Sequence, residues 1–227
     1  MVLLMSKLII VPAFNEEANI GEVLSGLLTT FSRDEVVVVD DGSSDGTKPV
    51  ALSHGVGVVS HVCNLGKGVA LKSGIDFAIS EGVDFVIFVD ADGQNCIEDV
   101  KLCVDHFNSF DKDVVFTFRA GKRSMPFVKR VGNKFLSTFI WMCGGLKLRD
   151  SQSGLKAVRV NFLKKMSWDF EDYEIESGFI LECARLKASF AQIPIRTIYK
   201  DVKKGTNLLS GVLIARYIFN RMFRKVG

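Results

Sequence analysis

Four consecutive valines, Val36–Val39, run straight into two aspartates, and five apolar residues, Phe85–Val89, run into a third. A strand that is apolar at every position offers no face to water, so helices must cover the sheet on both sides. The rest of the chain supplies them. "KLIIVPAF" reads as a first strand, and "NEEANIGEVLSGLLTTF" then sets Ile20, Val23, Leu24, Leu27, Leu28 and Phe31 at helical spacing, with Asn15 the expected N-cap. Strands are expected over "GVGVVSH", "VDFVIFVD" and "DVVFTF", and helices over "KGVALKSGIDFAISEG" and "CIEDVKLCVDHFNSF". The second half is less regular, with helical patterns near 126–145, 174–187 and 208–225 and an alternating stretch, "FAQIPIRTIY", that suits an added strand. This order predicts an α/β fold: a mostly parallel, doubly wound central sheet flanked by helices.

Composition sets limits on partners. A chain of 227 residues, 48% hydrophobic and 24% charged, suits one sizeable domain. Its five cysteines are odd in number and contain no C-x-x-C pair, which points to free thiols in a reducing cytoplasm rather than to zinc. The apolar N-terminus has a lysine inside it and a proline soon after, as in a strand rather than a signal peptide. No apolar run reaches the roughly 18–20 residues of a spanning helix, so any membrane contact is expected to be peripheral. The net charge of +3 divides unevenly: residues 196–227 carry +7 and the rest −4. A second basic zone, Arg119–Lys134, has six cations and no acid. Grouped cations favour an anionic partner. They lack the interleaved aromatics or motif of a nucleic-acid binder, which sets nucleic acid aside.

Ligands of open parallel sheets sit beyond the carboxyl ends of the strands. Three strand ends carry suitable chemistry: "VPAFNEE", "VVDDGSSDGT" and "VDADGQ". Gly42 and Gly46 allow a tight turn after Asp40 and Asp41, and Asp90 and Asp92 are spaced to approach one small cation. Mg²⁺ or Mn²⁺ takes oxygen ligands and commonly shares them with substrate phosphates. Other folds use such acids differently. A receiver domain ends near half this length, a dehalogenase-type phosphatase opens with its D-x-D-G-T, and a dinucleotide site needs a G-x-G-x-x-G that is absent here.

The ordered set "VPAFNEEANI", "VVDDGSSDGT", "NLGKGVALKSG", "VDADGQ" and "RDSQSGLKA" closely resembles family 2 glycosyltransferases of the GT-A fold. Within these it is most similar to the polyprenyl-phosphate sugar synthases. The resemblance implies a single GT-A domain over 1–227, with a nucleotide-sugar and metal half (1–118), an acceptor half (119–205) and a C-terminal basic amphipathic helix (206–227). It implies that Pro12, Phe14 and Glu16 border the base and ribose, that Asp40 contacts the same region, and that Asp90, Ala91 and Asp92 bracket the diphosphate. Asp90, Asp92 and Gln94 would form the metal site. Arg119 would face both phosphates, and Arg196 with Lys203 or Lys204 would belong to a loop closing over the nucleotide. Asp150 would line the active site as a base for a hydroxyl or as an orienter of a phosphate. Arg130 and Asn133 fit an acceptor-phosphate site, Glu176 matches a recurrent family acid, and Lys67 reads as a phosphate contact or a helix cap.

The expected activity is metal-dependent, inverting transfer of a hexose from GDP-mannose or UDP-glucose to a polyprenyl (dolichyl) phosphate. The expected place is the cytoplasmic face of a membrane, reached peripherally or through a separate anchoring subunit. "FLSTFIWMCGGLKL" and "LLSGVLIARYIFNRMFRKVG" resemble interfacial helices. The alternatives are transfer to a soluble or glycan hydroxyl, a nucleotide-sugar-binding protein without turnover, and a phosphatase forming an aspartyl-phosphate at Asp90.

Overall fold

The computed structural model describes residues 5–109, 111–120, 127–144, 146–168 and 175–196. Among these residues seven strands form one sheet: β1 (Lys7–Ala13), β2 (Val36–Asp40), β3 (Gly57–Ser60), β4 (Phe85–Phe88), β5 (Val114–Arg119), β6 (Lys156–Arg159) and β7 (Phe190–Ile195). Their order is β3-β2-β1-β4-β6-β5-β7. Every pairing is parallel except those of β6, which runs against both β4 and β5.

The all-apolar runs are explained by the two layers around them. In β1, β2 and β4, Leu8, Ile10, Val37, Val39, Val86 and Phe88 pack on one face, against Ala70, Leu71 and Ile75 of α3 (Lys67–Ser80) and Phe179 and Ile180 of α7 (Ile175–Arg185). Ile9, Val11, Val36, Val38, Phe85 and Ile87 enter the opposite face, against α1 (Glu17–Leu27) and α4 (Ile97–Ser109). Side chains alternate along a strand, so a two-sided core demands apolar residues at every position.

Among the described residues four elements escaped the sequence reading, one of them a single 3₁₀ turn at Arg33–Glu35. The short helices α2 (Thr47–Ser53) and α6 (Val160–Leu163) have too few residues to show a period. Strand β6 is the antiparallel insertion, and its four residues include a buried lysine. The longer α5 (Phe127–Gly144) falls where the helical pattern placed it.

The expected cap of α1 is corrected. Asn15 has φ 52° and lies outside the helix, whose N-cap is Glu16 without a side-chain cap bond. Thr47 Oγ1 accepts from the Glu16 amide at 2.8 Å and Asp45 Oδ2 from the Glu17 amide at 3.1 Å. Asn15 instead accepts the Ser44 amide at 2.9 Å. A neighbouring loop does the work of a local cap, and the turn "DDGSSDGT" is thereby fastened to the end of β1. Gly42 makes that turn possible: its φ is +70°, and a Cβ there would lie 2.3 Å from the backbone carbon of Cys63.

The five cysteines are free thiols. Among the described residues no helix is long and apolar enough to cross a membrane. The expected helix at 206–227 lies outside the described residues, as do Lys203 and Lys204.

Candidate active site

Because β1, β2 and β4 are mutually parallel, their carboxyl ends share one edge. A cleft of about 430 Å³ opens there. Pro12, Ala13, Phe14 and Glu16 form one wall, Asn64, Gly66, Lys67 and Ala70 another, and Asp90, Ala91 and Asp92 the end. Of the residues expected to border a nucleotide, the structure brings Pro12, Phe14, Glu16, Asp90, Ala91 and Asp92 together. Phe14 is 43% exposed at the mouth, where a planar ring is available for stacking.

Asp40 does not line the cleft; its neighbour Asp41 does. Asp40 is buried, and its Oδ1 accepts the Ser43 amide at 3.2 Å, within the turn. Asp41 accepts the Leu65 amide at 3.0 Å and the Gly66 amide at 2.9 Å, fixing the wall that leads into α3. The signal was present in the strand alternation. Asp41 continues the parity of Val37 and Val39, which face α3, whereas Asp40 continues that of Val36 and Val38, which face α1.

The acidic end is electrostatically organised. Lys67, the first residue of α3, places Nζ 2.6 Å from Asp90 Oδ1 and 3.9 Å from Glu176 Oε1. Glu176 also pairs with the buried Lys156. Lys67 is thus an ion-pair partner inside the site rather than a helix cap. Burial, the largest single influence, would raise the Asp90 pKa, but the charge and hydrogen bond of Lys67, with the charges of Lys156 and Arg119, together hold the carboxyl below the usual range. Asp92 goes the other way: burial and the adjacent Asp90 charge raise its pKa, while one oxygen accepts the Gln94 amide at 3.0 Å.

That contrast bears on a metal. Two carboxylates that oppose each other's ionisation gain from a cation placed between them, and the donors are hard oxygens suited to Mg²⁺ or Mn²⁺. Among the described residues no group of three or more His, Cys, Asp or Glu is arranged as a full cage. Asp90 and Asp92 therefore fit a metal completed by phosphate oxygens and water. Gln94 reaches Asp92 through its backbone amide and does not line the cleft.

The antiparallel β6 matters here. A strand running backwards starts at the edge where the parallel strands end, so the loop before it, with Asp150 and Gly154, is delivered to the site. Arg119, the last residue of β5, clasps Asp150 through Nε at 2.6 Å and through Nη2 at 3.0 Å. The Gln152 amide adds a third bond to Asp150 at 3.0 Å. Gly154 packs on Asp90 so closely that a Cβ would fall 2.2 Å from Oδ2. Neither Arg119 nor Asp150 lines the cleft itself. Arg196 follows β7, is exposed, and donates its amide to Asp99 at 2.7 Å. Asn133 is half-buried on α5, and the side chain of Arg130 lies outside the described residues.

The doubly wound, mostly parallel seven-stranded sheet is similar to the fold of GT-A glycosyltransferases. The chain belongs to glycosyl transferase family 2, whose profile matches residues 8–167. It is 36% identical over 226 residues to an uncharacterized protein of Methanocaldococcus jannaschii, covering 96% of this chain and 91% of that one. It is 30% identical over 231 residues to the UDP-N-acetylglucosamine–dolichyl-phosphate N-acetylglucosaminyltransferase of Methanococcus voltae, covering 91% and 92%. Among solved structures, glucosyl-3-phosphoglycerate synthase from Mycobacterium tuberculosis, in complex with Mg²⁺ and UDP, superposes with a TM-score of 0.74 at 22% identity, over 97% of this chain and 79% of that one. This last likeness shows the fold.

Proposed function

We propose that the chain moves a hexose or related sugar from a nucleotide sugar, GDP-mannose or UDP-glucose in the first instance, to a polyprenyl phosphate. The observation that carries the choice of acceptor is the state of Asp150. Its carboxylate already accepts three hydrogen bonds, two from a guanidinium, which leaves little capacity to take a proton from a hydroxyl. A phosphate acceptor arrives as an anion and needs no base. The M. voltae relative, named for a dolichyl-phosphate acceptor, supports the same reading.

In this reading the base and ribose lie along Pro12, Phe14, Glu16 and Asp41, and the diphosphate reaches the Asp90 end. A divalent metal held by Asp90 and Asp92 would neutralise the departing diphosphate. Lys67 supplies a fixed cation beside the same carboxylates, and Arg119, anchored by Asp150, supplies another from the acceptor side. Attack in line with the departing group would invert the anomeric centre. Residues 119–205 serve as the acceptor half, and Arg196 and Lys203 remain candidates for a closing segment.

The direct test combines the purified chain, Mg²⁺ or Mn²⁺ and a panel of nucleotide sugars, with and without a short polyprenyl phosphate. Lipid-dependent release of nucleoside diphosphate from one donor is expected. Asp92→Asn should lower it by about 10²–10³-fold, as for loss of one group that stabilises developing charge. Donor binding with no glycolipid from any donor would refute the lipid acceptor.

A peripheral approach to the membrane has a physical basis in α5. Phe135 is 70% and Met142 75% exposed, Trp141 is 46% exposed, and Lys147 stands 5.4 Å over the Trp141 ring. Apolar side chains beside cations are the composition of a helix that rests in a headgroup layer. Paired Phe135→Asp and Met142→Asp changes should weaken co-sedimentation with anionic vesicles by about tenfold or more, since each removes part of a side chain's burial of about 1.5–3 kcal/mol. Unchanged sedimentation would assign the contact elsewhere in the chain.

A further inference from the structure

Three side chains behind the cleft wall form a hydrogen-bonded row. The His61 amide donates to the Asp40 carbonyl at 2.9 Å, which carries the imidazole beside Asp41. Its Nδ1 lies 2.7 Å from Asp41 Oδ1, and its Nε2 lies 2.9 Å from Ser73 Oγ on α3. An ionised carboxylate only accepts, so Nδ1 carries hydrogen; in the neutral ring Nε2 then accepts from the Ser73 hydroxyl. The order Ser, His, Asp is also that of a hydrolytic triad. Ser73 does not line the cleft, however, and Asp41 is occupied with two loop amides. The row holds structure in place; it does not attack a substrate.

What it holds is a loop with little packing of its own. Val62, Cys63, Asn64 and Leu65 are all exposed, so the loop has no apolar anchor in the core. The Asp41 carboxylate tethers it through the Leu65 and Gly66 amides. Asn64 and Gly66 are in turn part of the cleft wall. A carboxylate with one fixed partner can still rotate, whereas one held by an imidazole that is itself held by a helix presents both oxygens in fixed directions.

We propose that His61 is a positioning residue for the donor nucleotide: with Ser73 it locks the Asp41 carboxylate and thereby sets the Asn64–Gly66 wall of the cleft. The proposal rests on reading the cleft as a nucleoside-diphosphate site. Loss of the imidazole should loosen this wall and weaken donor binding, while groups at the Asp90 end act unchanged on donor once bound. A rise in KM with kcat preserved is the signature.

The test uses the full chain with His61→Ala, His61→Asn, whose amide can replace the Nδ1 donor, and Ser73→Ala. Binding of UDP and GDP is measured by calorimetry, donor KM and kcat by steady-state turnover, and exchange of the Leu65 and Gly66 amides by NMR. His61→Ala should weaken nucleotide binding and raise donor KM by about tenfold, the scale of one lost hydrogen bond to a charged group, with kcat within about twofold. Loop exchange should accelerate while sheet amides stay protected. His61→Asn should recover most of the loss, and Ser73→Ala should fall between. Unchanged binding and exchange in His61→Ala would overturn the proposal, as would equal impairment in His61→Asn or a fall in kcat alone. If the unaltered chain binds neither UDP nor GDP, the nucleotide reading fails, and the loop-exchange comparison still decides the role of His61.

Discussion

Gly154→Ala is expected to reduce sugar transfer by about two orders of magnitude, comparable to deleting a group that stabilises the departing charge. The added methyl would sit 2.2 Å from Asp90 Oδ2 and 2.9 Å from its Cγ. Asp90 cannot give way without penalty, because Oδ1 is held by Lys67 at 2.6 Å. The carboxylate must rotate, and in the proposed reaction the metal and the diphosphate would lose a ligand together. Global stability should change little, since the overlap involves one side chain in a part-open site. Titration of Mn²⁺ with the nucleoside diphosphate checks the cause: weakened metal-dependent binding with a near-normal melting temperature is the expected pair of results. Full activity in Gly154→Ala would mean that the loop before β6 stands away from Asp90 during turnover.

Arg119→Ala should damage both stability and turnover, and a second substitution should separate the two. Arg119 and Asp150 are largely buried, with 19% and 8% of their side chains exposed. Removing the guanidinium leaves a poorly solvated carboxylate without its cation, at a cost of about 3 kcal/mol. Neutralising the carboxylate as well, in Arg119→Ala with Asp150→Asn, should return much of that stability. It should not return activity, because the acceptor-side cation proposed for the departing diphosphate is then missing. Denaturant unfolding and kcat/KM, measured on both single variants and the double, give the cycle. Recovery of activity in the double variant would reduce Arg119 to a structural partner of Asp150.

The parts of the fold legible in the sequence are those whose signal is local. The runs Val36–Val39 and Phe85–Val89 required cover on both faces, and the structure supplies it with α3 and α7 on one side and α1 and α4 on the other. The acids that end those strands were equally visible, because a carboxylate directly after an all-apolar run is read from the residues alone. Short elements were not legible. The seven residues of α2 and four of β6 carry too little periodicity. The reversed direction of β6 is a fact of pairing that no run of residues records.

The site divides in the same way. Sequence by itself determined that acids, a glycine turn and cations would gather at strand ends, since residue type and strand parity are properties of the chain. Tertiary structure decided which of them meet. It chose Asp41 over Asp40 for the cleft, replaced the local cap at Asn15 with Asp45 and Thr47 at the start of α2, and set Lys67 on Asp90 across 23 residues. It also joined Arg119 to Asp150 and placed Gly154 against Asp90, because β5 ends and β6 begins on one edge of the sheet. Hydrogen bonds and ion pairs act over about 3 Å of space, and separation along the chain does not enter their energy.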